Sequence, residues 1–326
     1  MALLNLLEAI NRTLDQQMEL DPSIVLYGED VGFGGGVFRT TAGLQKKFGE
    51  DRVIDTPIAE GAIIGSAIGM AIGGLRPIAE IQFSGFMFSG YNELVTHAAR
   101  MRNRSRGRYQ LPMVVRMPYG GGVRALEHHS ESLETLFAHI PGLKLIIPST
   151  PYDAKGLLAS AIKDNDPVIY MEPKKIYRAF KQEVPDEEYL IPLGKAKIVR
   201  PGKKITVVAW GSLVREVENA IKLLDDQDAV ELIDLRTISP FDKETIINSV
   251  KKTGRILVVH EAVKSFGPAA EIIASVNEKA FYYLEAAPAR LTGFDITVPL
   301  ARGEHYIIID SKRIANEIKR ILSLRA

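Results

Sequence analysis

One carboxylate in this chain is set apart by its surroundings. The run Val53-Ile54-Asp55-Thr56-Pro57-Ile58-Ala59-Glu60 reads as a short apolar strand and a proline-containing turn that deliver Glu60 to the start of a helix with glycine at positions 61, 65, 69 and 73. An acid at a helix N-terminus is favoured by about 0.3–1 kcal/mol, while burial raises a carboxyl pKa. Held in a water-poor pocket, such a group gives and takes a proton and can serve a bound heterocycle; a plain helix-capping glutamate is the alternative. A second constellation, Gln82-Phe83-Ser84-Gly85-Phe86-Met87-Phe88-Ser89-Gly90-Tyr91, directly follows a strand-like run. Aromatic rings interleaved with glycine at the carboxyl end of a parallel strand form either a wall for a stacked ring or a layer of the core. The third, Pro118-Tyr119-Gly120-Gly121-Gly122-Val123-Arg124, precedes Glu127-His128-His129-Ser130. Consecutive glycines let a backbone approach a ligand closely. One histidine at a loop-to-helix junction suits general acid–base work, typically worth about 10²–10⁴ in rate. Ser130 is expected to cap the helix that follows, with Glu131 and Glu134 in its first turn.

Other chemistries are excluded by what surrounds these residues. The paired histidines have no third ligand at zinc-site spacing. The run Gly32–Gly36 does not follow G-x-G-x-x-G and opens no clear helix, which argues against a dinucleotide-binding oxidoreductase and for a mobile loop. Arginines at 100, 102, 104, 106 and 108 scatter around a helix, and the formal net charge is only +1, so neither nucleic acid nor an anionic membrane surface is an expected partner. There is no cysteine, hence no disulfide and no thiol nucleophile. The longest apolar stretch, Gly61 to Leu75, falls short of the roughly 20 residues that a membrane span needs. Its glycine face is expected to pack closely on another backbone, of this chain or of another subunit. With no import signal in the first residues, a cytoplasmic location is expected. No Walker-type loop is present, and no Gly-Asp-Gly with a following Asn that could hold a magnesium diphosphate. An acid and a stacking wall without a phosphate grip imply that another chain supplies the rest.

These residues need a scaffold, and strand-like runs alternate with helical patterns almost throughout. A helix over about Leu3 to Leu20 leads to strands near Ile24–Tyr27, Arg76–Gln82, Met113–Met117, Leu143–Ile147 and Val168–Met171, with a long helix from about Phe88 to Arg104. The stretch Glu172 to Leu193 carries Pro173, Pro185 and Pro192 without a period and reads as a surface-crossing linker. A second alternating set has strands at Ile205–Ala209, Val230–Asp234 and Arg255–Val259 and a last helix from about Ser311 to Leu324. At 326 residues, with 46% hydrophobic and 25% charged residues, the chain suits two α/β domains, each a parallel sheet between helical layers. The expected divisions are 1–180, a linker at 181–195, and 196–326.

At the same residues the chain resembles the beta subunits of the decarboxylating component of 2-oxoacid dehydrogenase complexes, of the pyruvate and branched-chain type. The resemblance runs through Gly28-Glu29-Asp30-Val31, Asp55-Thr56-Pro57 to Glu60, Arg76-Pro77-Ile78 to Gln82-Phe83, His129-Ser130, Pro141-Gly142-Leu143, Pro148 to Gly156, Asp234-Leu235-Arg236-Thr237 and Pro240-Phe241-Asp242. It implies a transketolase-like pyrimidine-binding domain followed by a transketolase C-terminal domain. It implies thiamine diphosphate as cofactor, with magnesium held mainly by an alpha subunit, and a site at the alpha–beta interface of an α2β2 heterotetramer. Glu60 would bond the aminopyrimidine ring nitrogen, Ile58 would line the pocket and Phe86 would pack on the ring. His129 would assist proton transfer during acylation of the lipoyl arm of an acyltransferase core. A structural potassium ion is implied on oxygens of Ala161, Ile162, Asp164 and Asp166. A 2-oxo acid such as pyruvate or a branched-chain acid is the implied substrate, with acetoin-type cleavage a related option.

Overall fold

The computed structural model describes residues 1–324. Six strands of the first sheet run parallel, and a seventh, Thr237–Ser239, joins antiparallel from the second half of the chain. The parallel strands follow the order Lys144–Ile146, Val168–Pro173, Val114–Tyr119, Arg76–Glu80, Ile24–Gly28, Val53–Asp55. Apart from the edge strand Val53–Asp55, whose Asp55 is exposed, they are short, mostly apolar runs largely buried on both faces, as parallel strands under two helical layers must be. One face packs on the helices Leu6–Leu20 and Pro151–Lys163. The second sheet has five strands, four parallel (Ala289–Gly293, Ile256–Val263, Ile205–Ala209, Val230–Asp234) and Lys197–Arg200 antiparallel at its edge. The helices Ser212–Ile221 and Ser311–Ser323 cover its outer face. The expected pair of three-layer α/β units is therefore observed. Their facing sides share one continuous core, in which Met117 and Tyr119 lie in the same cluster as Trp210, Ile233 and Val258.

Local chemistry moves several boundaries. The first helix starts at Leu6 because Asn5 and Glu8 form a capping box: Asn5 Oδ1 accepts from Glu8 N–H at 2.9 Å, and Glu8 Oε2 accepts from Asn5 N–H at 2.8 Å. Ala2–Leu4 before it is a strand, paired antiparallel with Gln182–Val184. Proline-rich residues 181–195 consequently lie against the first unit: Tyr189 stacks on Tyr152 at 4.6 Å and Ile191 is buried. The helix expected from Phe88 to Arg104 is broken into the tight turn Ser84–Gly90, Tyr91–Glu93, a wider turn at Leu94–Ala98 and Met101–Arg104. Ser130 does not cap a helix; the next one begins at Glu134, after a non-helical stretch, and Ser130 closes the turn Glu127–His129. Within this chain the glycine face is closely approached near the start of Glu60–Ile72, where a Cβ on Gly61 would stand 3.1 Å from Ser89 O, while Gly69 faces open space.

Candidate active site

The three constellations converge on the carboxyl edge of the first sheet. Neighbouring strands end at Asp55, Gly28, Glu80 and Tyr119, and the chain leaving them carries Glu60, Glu29, Phe83 with Phe86, and His129 respectively. Ligands of open α/β sheets bind at this edge because the strand ends and helix N-termini present loops there.

Glu60 is the first residue of its helix and is half-buried. The helix start is seated on the turn that carries Phe86: a Cβ on Gly90 would stand 2.9 Å from both Glu60 O and Ile64 Cγ1, so only glycine admits this approach. Farther along the helix, Tyr27 OH donates to Ile63 O at 2.7 Å. Phe83, Phe86 and His129 form an edge-to-face corner, with His129 4.3 Å from the Phe83 ring centroid and 5.1 Å from that of Phe86. The histidine turn is pressed onto Gly85, where a Cβ would overlap His128 O. His129 Nδ1 is buried without a protein partner. Ile58 is 82% exposed and Phe33 96% exposed, so the apolar rim of the edge is open on the isolated chain.

Glu29 is a site residue that spacing did not single out. It is buried, and its carboxyl pKa is raised first by burial and then by the charges of Glu60 and Asp30. The strand that ends at Gly28 lies beside the one that ends at Asp55, and that pairing brings the two carboxylates near one another. Both glycine runs hold anions, but anions of this chain. Gly32 and Phe33 N–H donate to the Asp55 carboxylate at 2.6 and 2.9 Å. Gly121 and Gly122 N–H donate to Glu261 and Glu304. Neither glycine run is left open to grip a phosphate.

These residues fit the pyrimidine half of a thiamine cofactor: a carboxylate for a ring nitrogen, an aromatic corner for a ring face, an apolar rim and an orphaned imidazole nitrogen. They offer no diphosphate grip. Among the described residues, no group of three or more His, Cys, Asp or Glu side chains could hold a metal ion. The turn implied for potassium carries cations of its own. Arg76 donates to the carbonyls of Ile162 and Asp164 at 2.9 and 3.1 Å, Ala161 O accepts from Asp164 N–H at 3.2 Å, Lys144 bonds the Asp164 carboxylate, and Arg102 bonds Asp166 at 2.6 Å.

Comparison with known proteins decides the family. The transketolase pyrimidine-binding domain matches residues 3–179, and the transketolase C-terminal domain matches residues 194–314. A pyruvate dehydrogenase E1 component subunit beta from Acholeplasma laidlawii is 69% identical over 326 residues, covering 100% of both chains. The chain belongs to the beta-subunit family of pyruvate dehydrogenase E1 components. Namesakes from Mycoplasma pneumoniae and Bacillus subtilis are 56% and 47% identical, over 98% and 99% of both chains. The solved structure of a split-gene transketolase, described as an inactive beta4 tetramer, matches with a TM-score of 0.81 at 18% identity over 99% of both chains, which shows the shared fold. As an E1 beta subunit, the chain is part of a thiamine-diphosphate-dependent 2-oxoacid dehydrogenase with an alpha partner. Among its described residues no helix is long and apolar enough to cross a membrane.

Proposed function

We propose that this E1 beta subunit supplies the pyrimidine half of a pyruvate-decarboxylating site, completed by an alpha subunit that grips magnesium and diphosphate in an α2β2 assembly. The observation that carries the reading is the composition of the carboxyl edge: Glu60, Phe86, Ile58 and His129 are gathered there, while Asp55 and Glu304 already fill its glycine loops.

Thiamine diphosphate would supply the electron sink for decarboxylation. Glu60 would hold a proton between its carboxylate and the ring nitrogen of the pyrimidine, and Phe86 and Ile58 would orient that ring and exclude water. His129 would move a proton at the mouth of the site when the acyl group passes to a lipoyl arm of the acyltransferase core. The names of the relatives favour pyruvate over branched-chain acids; one methylene in a pocket changes selectivity by only about 1–3 kcal/mol. The division of the chain at 181–195 and a cytoplasmic location belong to the same reading.

The test is carbon dioxide release by the chain reconstituted with its alpha partner, across pyruvate, 2-oxobutyrate, branched-chain 2-oxo acids and acetoin. Highest turnover on pyruvate is expected. Preference for a branched acid would overturn the substrate assignment, and full activity without the alpha chain would overturn the half-site.

A further inference from the structure

Stretches remote in sequence meet behind His129. The loop that leaves Val114–Tyr119 turns its backbone N–H groups toward the second unit. Gly121 N–H donates to Glu261 Oε2 at 3.2 Å, Gly122 N–H to Glu304 Oε1 at 2.6 Å, and Arg124 N–H to Glu304 Oε2 at 2.9 Å. Glu304 is 2% exposed, and both its oxygens are spent on this loop. Glu261 is itself fixed by the Ser212 hydroxyl, which donates to its Oε1. From the first unit, the buried Lys174 ammonium donates to Gly120 O, and Gly120 N–H donates to Glu131 O at 3.0 Å. Gly120 has φ +84°, and a Cβ there would stand 2.7 Å from Glu261 Oε2, so a side chain would break the grip.

Successive N–H groups in this conformation make an anion-binding concavity, and hydrogen bonds to a carboxylate are roughly twice as strong as neutral ones. The concavity is filled from the second unit, and the loop it belongs to ends five residues later at the turn that carries His129.

We propose that Glu304 and Glu261 are positioning residues for His129, holding the glycine loop so that the histidine stands ready for acyl transfer to a cyclic disulfide. The proposal rests on the function proposed above. In that transfer the electron pair of the acyl carbon would reduce the disulfide: a C–S bond forms as the S–S bond breaks, the leaving sulfur takes up a proton that His129 would give, and the hydroxyl on that carbon loses its proton as the carbon's bond to its carrier breaks and leaves the electron pair with the carrier. Decarboxylation itself requires no such proton, so a loosened loop should affect the two half-reactions unequally.

The experiment uses Glu304→Ala and Glu304→Gln in the enzyme assembled with its alpha partner, with three readouts: dye-linked decarboxylation, acylation of a lipoyl domain, and tryptic cleavage after the exposed Arg124 of the loop. Losing a hydrogen-bonded charge is worth about tenfold or more in an equilibrium. Glu304→Ala should therefore lower acylation at least about tenfold more than decarboxylation and speed cleavage after Arg124 by a similar factor. Glu304→Gln keeps one acceptor and should fall between Ala and wild type in both. Equal losses in the two half-reactions, or cleavage unchanged in Glu304→Ala, would overturn the proposal. If Glu304→Ala does not assemble, Glu261→Gln keeps the side-chain shape and is read in the same way. If the wild-type pair shows no decarboxylation, the functional reading fails on its own, and the cleavage rate still decides whether the carboxylates hold the loop.

Discussion

Like charges close together oppose ionisation, and on this sheet edge the effect falls on the buried Glu29. Glu29 is buried and its pKa is raised, in part by the charge of Glu60. Removing that charge with Glu60→Gln should move the Glu29 titration midpoint down, as read from its carboxyl infrared band. A midpoint that stayed in place would show that the two do not sense each other. In the assembled enzyme the same substitution should cut decarboxylation by about 10²–10⁴. The melting temperature should stay close to wild type, because the side chain is half-buried and replaced by its isostere. Glu60 and the aromatic run that follows Arg76–Glu80 stood out in the sequence because each closely follows a strand end, where local spacing carries the signal, whereas Ile58, Phe86 and His129 were singled out by the family resemblance. The partners that fill the glycine loops were not legible. Gly122 and Glu304 are separated by 182 positions, and a hydrogen bond across that distance leaves no local pattern.

At the scale of elements, the central strands are tied by buried charge. Arg116 bonds Glu80 at 2.8 Å and Glu172 at 2.7 Å, and Tyr177 OH donates to the other Glu172 oxygen at 2.5 Å. Breaking a buried pair from one side costs about 3–5 kcal/mol, because the stranded charge stays desolvated. Arg116→Met should lower chemical stability by that order, measured by denaturant unfolding; a loss under 1 kcal/mol would contradict the network's role. Where the two units meet, Glu134 at the start of its helix is fully buried, and its pKa is raised to about 7, chiefly by burial. Between its ordinary value near 4.5 and about 7, the folded state holds a proton that the unfolded chain has released, so its contribution to stability falls as pH rises through that window. Glu134→Gln should therefore gain on wild type from pH 5 to 7 and keep a gain on the order of 3 kcal/mol above that. A variant less stable than wild type at pH 8 would refute the assignment. Strand positions were readable from apolar runs. The broken helix near Phe88 was not, because its wider turn at Leu94–Ala98 contains no glycine or proline to mark it.

For the whole molecule, the sequence shows two α/β units but not their union. The shared core and the strand Thr237–Ser239, which extends the first unit's sheet, make one body of them. That union brings Glu261 and Glu304 to the loop behind the site. It leaves Ile58 and Phe33 facing outward on an edge that carries the half-buried Glu60 and no phosphate grip. The most direct test of this division of labour is a calorimetric titration of thiamine diphosphate with magnesium into this chain, into its alpha partner, and into the pair. Saturable tight binding by the pair, with at least about 100-fold weaker uptake by this chain alone, is the predicted result; that ratio corresponds to roughly 2.7 kcal/mol contributed across the interface. Equally tight binding by this chain alone would contradict the account.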